Sequence, residues 1–217
     1  MGGNGTVGSA TYTKLDRDGL DMLAKDKKTW SELKTACTSG IDDMSKLFYS
    51  ADVNQSFVDF DVDLSSWDTS NVIMMDWMFY NAFKFNQNIS KWNTSNVQDM
   101  AHMFDDAIKF NQDIGQWDTS SVTNMTGMFY DAQSFNQDIS GWDTSNVKSM
   151  YHMFWGADAF NQDLSGWNVR NVEECAGFNN EVTGWTEPKP DLKPQCLSSA
   201  TMLSMGMALV AVLSTML

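Results

Sequence analysis

Apolar positions along this chain recur at intervals of 25 residues. Trp67, Trp92, Trp117, Trp142 and Trp167 keep that spacing, and so do Met75, Met100, Met125 and Met150. Phe79, Phe104, Phe129 and Phe154 form a third series, Phe85, Phe110, Phe135 and Phe160 a fourth, and Leu64, Ile89, Ile114, Ile139 and Leu164 a fifth. Set in register, the units read "WDTSNVIMMDWMFYNAFKFNQNISK", "WNTSNVQDMAHMFDDAIKFNQDIGQ", "WDTSSVTNMTGMFYDAQSFNQDISG" and "WDTSNVKSMYHMFWGADAFNQDLSG". A partial unit follows from Trp167, and a degenerate one with a six-residue insertion precedes Trp67. A fixed period of this length marks a stacked array, in which each unit covers the apolar face of its neighbour.

Within a unit, Val147, Met150, Met153, Phe154 and Ala157 fall on one face of a helix or of a few tight helical turns. Asp143, Thr144, Ser145 and Asn146 ahead of them are residue types that cap a helix start. "FNQDIS" is too short for a helix, and its pattern predicts a short strand around Asp138 to Ser140. One strand and one helical segment in 25 residues is the size of a leucine-rich repeat. The expected fold is therefore α/β, a right-handed leucine-rich-repeat-like solenoid of about five to six coils over residues 41–178.

The Trp series could face water or the core. Period-2 alternation from Asn88 would put Ser90 and Trp92 on an outer face, whereas a corner near Ser90–Lys91 would turn Trp92 inward. Five exposed stacked indoles would make a large apolar patch, so the expectation is a buried pillar. The Asn86, Asn111, Asn136 and Asn161 series reads as an amide ladder satisfying backbone groups between coils.

The flanks break the period. Residues 1–28 read as a flexible segment without the basic-then-apolar pattern of a secretory leader. Thr29 and Glu32 match a capping box, which predicts an N-terminal capping helix over 29–40 ended by Gly40. Pro188, Pro190 and Pro194 mark residues 179–196 as a C-terminal cap and linker. Residues 197–217 carry no charge, and as a helix would span ~31 Å, the thickness of a bilayer core. A membrane partner through this tail is expected.

A formal charge of −14 repels phosphate backbones and excludes nucleic acid as a partner. Cys175 and Cys196 bracket the end of the array and are the candidate disulfide, leaving Cys37 as a small apolar residue. No Cys/His cluster has metal-ligand spacing, His102 and His152 sit two units apart, and no nucleophile or phosphate-loop motif occurs. The expectation is a noncatalytic protein without cofactor. Its ligand-face candidates are the acidic column Asp113, Asp138 and Asp163 with Asn88 in the same register, together with Ser90, Ser140 and Ser165.

The combination of M-x-x-M-F, F-N-Q-D-I-S and W-D-T-S-N-V in "MFYDAQSFNQDISGWDTSNVKSMYHMF" resembles the BspA-like leucine-rich-repeat surface proteins, the mycoplasma-lipoprotein-type repeat, over residues 41–178. The resemblance implies a surface-exposed binding or adhesion scaffold that recognises a protein or a glycan and carries no catalytic residues. With the apolar tail it places the chain at the membrane, on the cell-surface face. The alternative is an intracellular, tail-anchored interaction scaffold.

Overall fold

The computed structural model of the chain describes residues 4–7, 10–51, 57–180 and 182–193. Across the repeats the backbone runs as a succession of turns. In the unit from Trp92, the N–H groups of Val97, Met103, Asp105, Ala107 and Phe110 donate to the carbonyls of Thr94, Met100, His102, Phe104 and Ala107. Between these turns, alternate N–H groups reach the next unit. Met100, His102, Phe104 and Asp106 donate to the carbonyls of Asn124, Thr126, Met128 and Tyr130 at 2.7 to 3.0 Å. One parallel bridge per unit links Asp43, Met74, Asp99, Asn124, Ser149 and Glu174 in series. The first step is 31 residues (43 to 74), one period plus the six-residue insertion, and the others are 25.

Neither the helix over Met150–Ala157 nor the strand at Asp138–Ser140 forms. The reason is backbone hand. Trp77 and Asn81, His102 and Asp106, Asp131, and His152 all have φ between 49° and 60°, and Gly127 and Gly156 join them in the same two columns. A right-handed helix cannot contain such residues, but a turn whose third residue has positive φ requires them. Met100 to Met103 is such a turn, with His102 third. The apolar spacing that mimics a helix is instead the spacing of consecutive tight turns, and it still turns Met150, Met153, Phe154 and Ala157 inward.

The columns stack as continuous pillars. Neighbouring indoles along the Trp column lie 6.3 to 6.5 Å apart and within 6° of parallel wherever the pair is in ring contact. Phe104 stacks on Phe110 of its own unit at 3.9 Å and on Phe79 and Phe129 of the neighbouring units at 5.6 and 5.9 Å. The Met, Phe and Ile/Leu columns are wholly buried and the Trp column nearly so. Each buried indole N–H has a partner: Trp92, Trp117, Trp142 and Trp167 donate to the carbonyls of Leu64, Ile89, Ile114 and Ile139 in the preceding unit. Trp is thus core and clamp together, as an aromatic with a polar handle should be when buried.

Polar columns satisfy what the turns leave over. The Asn86, Asn111 and Asn136 side-chain oxygens accept the N–H of the Asn one unit on, at 2.9 to 3.0 Å. Thr69, Thr94, Thr119 and Thr144 donate their hydroxyls to carbonyls of the next unit at 2.9 to 3.0 Å. Asn96, Asn146 and Asn171 donate back to the preceding unit. "WDTSN" therefore builds links between units rather than a helix cap.

In the N-terminal flank, where a flexible segment over residues 1–28 was expected, the described residues form strands and a helix. β1 (Asn4–Val7) pairs antiparallel with β2 (Ala10–Lys14), and β2 pairs parallel with β3 (Ala36–Cys37). α1 (Arg17–Lys25) starts at Asp16, whose carboxylate accepts the Gly19 N–H, and buries Leu20 and Ala24. The capping helix expected over 29–40 shrinks to α2 (Trp30–Leu33), after a 3-10 turn at Lys27–Thr29. Thr29 is already in the helical region, so its hydroxyl cannot cap and donates instead to the Leu23 and Asp26 carbonyls.

Both flanks continue the ladders. The first unit has carbonyls facing outward with no preceding unit to donate to them. Arg17 supplies the donors, its guanidinium reaching the carbonyls of Asp43 and Ser45 at 2.8 and 2.7 Å. Leu33 offers its carbonyl to the Trp67 indole. At the other end Trp185 extends the Phe85–Phe160 column, 4.7 Å edge-on from Phe160, and Thr186 and Glu187 donate their N–H groups to Asn161. The C-terminal cap is a unit in register whose "FNQ" has become "WTE".

Phe104→Ala should cost about 3–5 kcal/mol in chemical unfolding, since it empties the centre of two stacks. Arg17→Ala should cost about 1–3 kcal/mol by leaving the end carbonyls without their donors. Arg17→Lys should recover only part of that, because one ammonium lacks the planar fork.

Candidate functional site

The predicted ligand-face residues lie on a corner of the array. Asp138 and Asp163 accept the N–H of Ser140 and Ser165 two residues on, at 3.0 and 2.9 Å, and Asn88 and Asp113 do the same with Ser90 and Gly115. These are Asx turns, and they explain why the column tolerates Asn88. Hydrogen bonds from the Ser140 and Ser165 hydroxyls, then from their N–H groups, hold Asp138 and Asp163 below the usual carboxylate range. Asp138, Ser140, Asp163 and Ser165 come together with Gln162 and Gly166 around a shallow, open cleft of about 270 Å³. One oxygen of each carboxylate is occupied by the corner itself.

A second surface has no counterpart in the sequence reading. The strip of alternating turns and inter-unit hydrogen bonds carries many of the positions at which the units differ from one another. Trp77, His102, Gly127, His152 and Gly177 occupy one column, and Tyr80, Asp105, Tyr130 and Trp155 another. Asn81, Asp106, Asp131 and Gly156 occupy a third. Two of these columns hold the positive-φ residues, so Asn, Asp, His and Gly are favoured there by backbone conformation. The third has no such demand, and it varies between ring and carboxylate.

The side chains on this strip are packed together. His102 lies 4.0 Å over Trp77 in parallel, Tyr80 meets Trp77 edge-on at 4.9 Å, and Tyr49 stacks on Tyr80 at 5.1 Å. One unit pair further on, His152 stacks on Tyr151 at 3.8 Å and Trp155 on Tyr130 at 6.1 Å. The glycines make room: a Cβ on Gly127 would lie 2.5 Å from the His102 ring, and one on Gly156 2.0 Å from Asp131. His102 and His152 thus each occupy their own unit against aromatic neighbours.

Electrostatically the strip is strained toward protonation. Asp105 is buried, its Oδ2 2.6 Å from His102 Nδ1, and its Oδ1 has no hydrogen-bond partner. Burial raises the Asp105 pKa, opposed by the His102 contact and reinforced by Asp131. Asp106 is pushed up to about 6, first by burial and then by Asp105 and Asp131. Burial, with Asp99 beside it, also raises Asp76, which again keeps one oxygen buried and unpartnered. Among the described residues no group of three or more His, Cys, Asp or Glu side chains is placed to hold a metal ion.

Cys175 takes the buried methionine position of its unit and is disulfide-bonded, while Cys37 is a free thiol 3.2 Å from the Ser39 hydroxyl. Cys196 and the apolar run 197–217 lie outside the described residues, so the expected pairing and the membrane tail fall there as well. Among the described residues no helix is long and apolar enough to cross a membrane. A family model described as "Mycoplasma protein of unknown function, DUF285" matches residues 20–117 and again 90–189. No curated protein and no solved structure matches the chain.

Because Asp106 binds its proton more tightly folded than unfolded, it makes stability fall as pH rises from its ordinary 3.8 through about 6. Asp106→Asn keeps a residue suited to positive φ, as Asn81 is in the same column. The variant should melt higher than the parent at pH 7.5, and the gap should close by pH 4, in calorimetry across that range.

Proposed function

The chain belongs to the DUF285 family of Mycoplasma-type repeat proteins of unknown function, and on that footing we propose that it is a noncatalytic recognition scaffold displayed at a cell surface. The observation that carries this reading is the division of labour within each unit. Pillars and ladders repeat almost unchanged, while the turn strip changes from unit to unit without losing register. A surface whose backbone holds the register while its side chains vary, lined with half-buried rings and carboxylates, suits binding. The array is read as a right-handed, leucine-rich-repeat-like and specifically BspA-like solenoid in which the strand of each coil is reduced to a single bridge. Residues 197–217 are the proposed membrane tether, and the ligand is a protein or a glycan.

A Cys175–Cys196 disulfide would tie the end of the array to the segment entering that tether, as suits an oxidising exterior. The intracellular, tail-anchored alternative requires reduced thiols.

The full-length protein, immobilised and screened against glycans and matrix or cell-surface proteins, should show saturable binding that thermal unfolding abolishes. Consistent silence from folded protein would count against a recognition role. Mass spectrometry of non-reduced peptides from native membranes should recover a Cys175–Cys196 cross-link. Free thiols at both positions in freshly alkylated cells would favour the intracellular reading.

A further inference from the structure

The motif Asn-x-Ser/Thr, whose side-chain nitrogen can take an N-linked sugar, occurs at Asn4, Asn54, Asn88, Asn93 and Asn124. Asn54 and the Asn4 side chain lie outside the described residues, and the structure separates the other three. Asn88 and Asn93 stand on the corner of one unit. Their columns hold Asp63, Asp113, Asp138 and Asp163, and Asp68, Asp118 and Asp143, in other units. Asn168 departs from the second column too, but Arg170 stands where the motif needs a hydroxyl. Asn88 and Asn93 are both exposed, and each uses only its side-chain oxygen in the fold. Asn88 Oδ1 accepts the Ser90 N–H at 3.0 Å, and Asn93 Oδ1 accepts the Ser95 N–H and hydroxyl at 3.1 and 2.7 Å. Among the described residues no hydrogen bond engages either Nδ2. Asp138 makes the same turn with one carboxylate oxygen, so the corner itself does not need that nitrogen.

Asn124 is the reverse case. It is half-buried on the turn strip, in the bridge series with Asp99 and Ser149. Its Nδ2 donates to Asp99 Oδ2 at 3.0 Å, and its Oδ1 accepts the Thr126 N–H at 3.1 Å. The Thr126 hydroxyl is itself engaged by the Ser149 hydroxyl at 2.7 Å. Resting on the cell-surface reading above, we propose that Asn88 and Asn93 are N-glycosylation sites and that Asn124 is not. The co-substrate is a lipid-linked oligosaccharide diphosphate. Nδ2 forms a bond to the anomeric carbon as the bond from that carbon to the diphosphate oxygen breaks. The lipid diphosphate leaves, and the nitrogen gives up one proton to a base. Oδ1 is untouched, so both corner turns survive the reaction. A bulky, solubilising sugar then screens this corner from large partners. The strip, whose described acceptor motif is closed, stays open to them.

The test is peptide mapping of the full-length protein from its own cells after enzymatic deglycosylation in heavy-oxygen water. That treatment turns each glycosylated Asn into a heavy-labelled Asp. Label at Asn88 and Asn93, with Asn124 unmodified, is the expected result. Equal label at Asn124 would overturn the selection by accessibility. Absence of label at Asn88 or Asn93, in protein that carries the Cys175–Cys196 cross-link, would overturn the proposal and leave the surface reading standing. Absence of label at both, together with free thiols at both cysteines, would remove the two readings together. Variants made in the same cells give an independent measure. Asn88→Asp with Asn93→Asp keeps both turns and should lose the mass of two sugar chains on a denaturing gel. Asn124→Asp should leave the mass unchanged and melt lower, because it sets a carboxylate against Asp99. A loss of sugar mass from Asn124→Asp, or none from the corner pair, would overturn the proposal.

Discussion

Everything in the array follows from one constraint: each backbone polar group buried in the array must find its partner within its own turn or in the neighbouring unit. The alternate N–H groups of one unit meet the carbonyls of the next along the strip, and Thr and Asn side chains serve the positions the strip cannot reach. Such bonds contribute only about 0.5–1.5 kcal/mol each when made, but an orphaned group costs the full desolvation. A change of length within the strip would therefore break many contacts together, whereas the six extra residues of the first unit fall between Ser50 and Phe60 and leave its ladder intact. The rings then stack because the register is fixed, and their burial supplies the stabilisation that the polar network alone does not.

Much of this was legible in the residues. The period, the five apolar columns, the inward Trp pillar and the Asn ladder could be read from spacing and residue type, because each answers to burial or to amide chemistry alone. The helical segment could not. Val147, Met150, Met153, Phe154 and Ala157 have a helical spacing, and consecutive turns impose nearly the same spacing on buried positions. The signal that separates the two is the Asn81, Asp106, Asp131, Gly156 column, whose members share tolerance of positive φ. Trp77 obscures the companion column by being a poor left-handed residue.

The flanks show a related limit. Trp185 and Thr186 keep the 25-residue step from Phe160 and Asn161, but the surrounding prolines masked it. Arg17 is a single cation in an acidic stretch, and nothing local marks it as the donor for two carbonyls 26 and 28 residues away. The turn strip was missed for the opposite reason. Positions that repeat, such as Asp138 and Asp163, stand out in the sequence, whereas the crowded Asp105, Asp106 and Asp131 stand where the repeats disagree.

The two caps differ in polarity. The N-terminal one presents guanidinium hydrogens to outward carbonyls, and the C-terminal one carries its own N–H groups to the side-chain oxygen of the last Asn rung. Among the described residues neither touches a middle unit, so neither can sense how many there are. Lineages could therefore duplicate or delete whole units between intact ends, and length, with the number of rows offered to a partner, becomes a freely inherited trait.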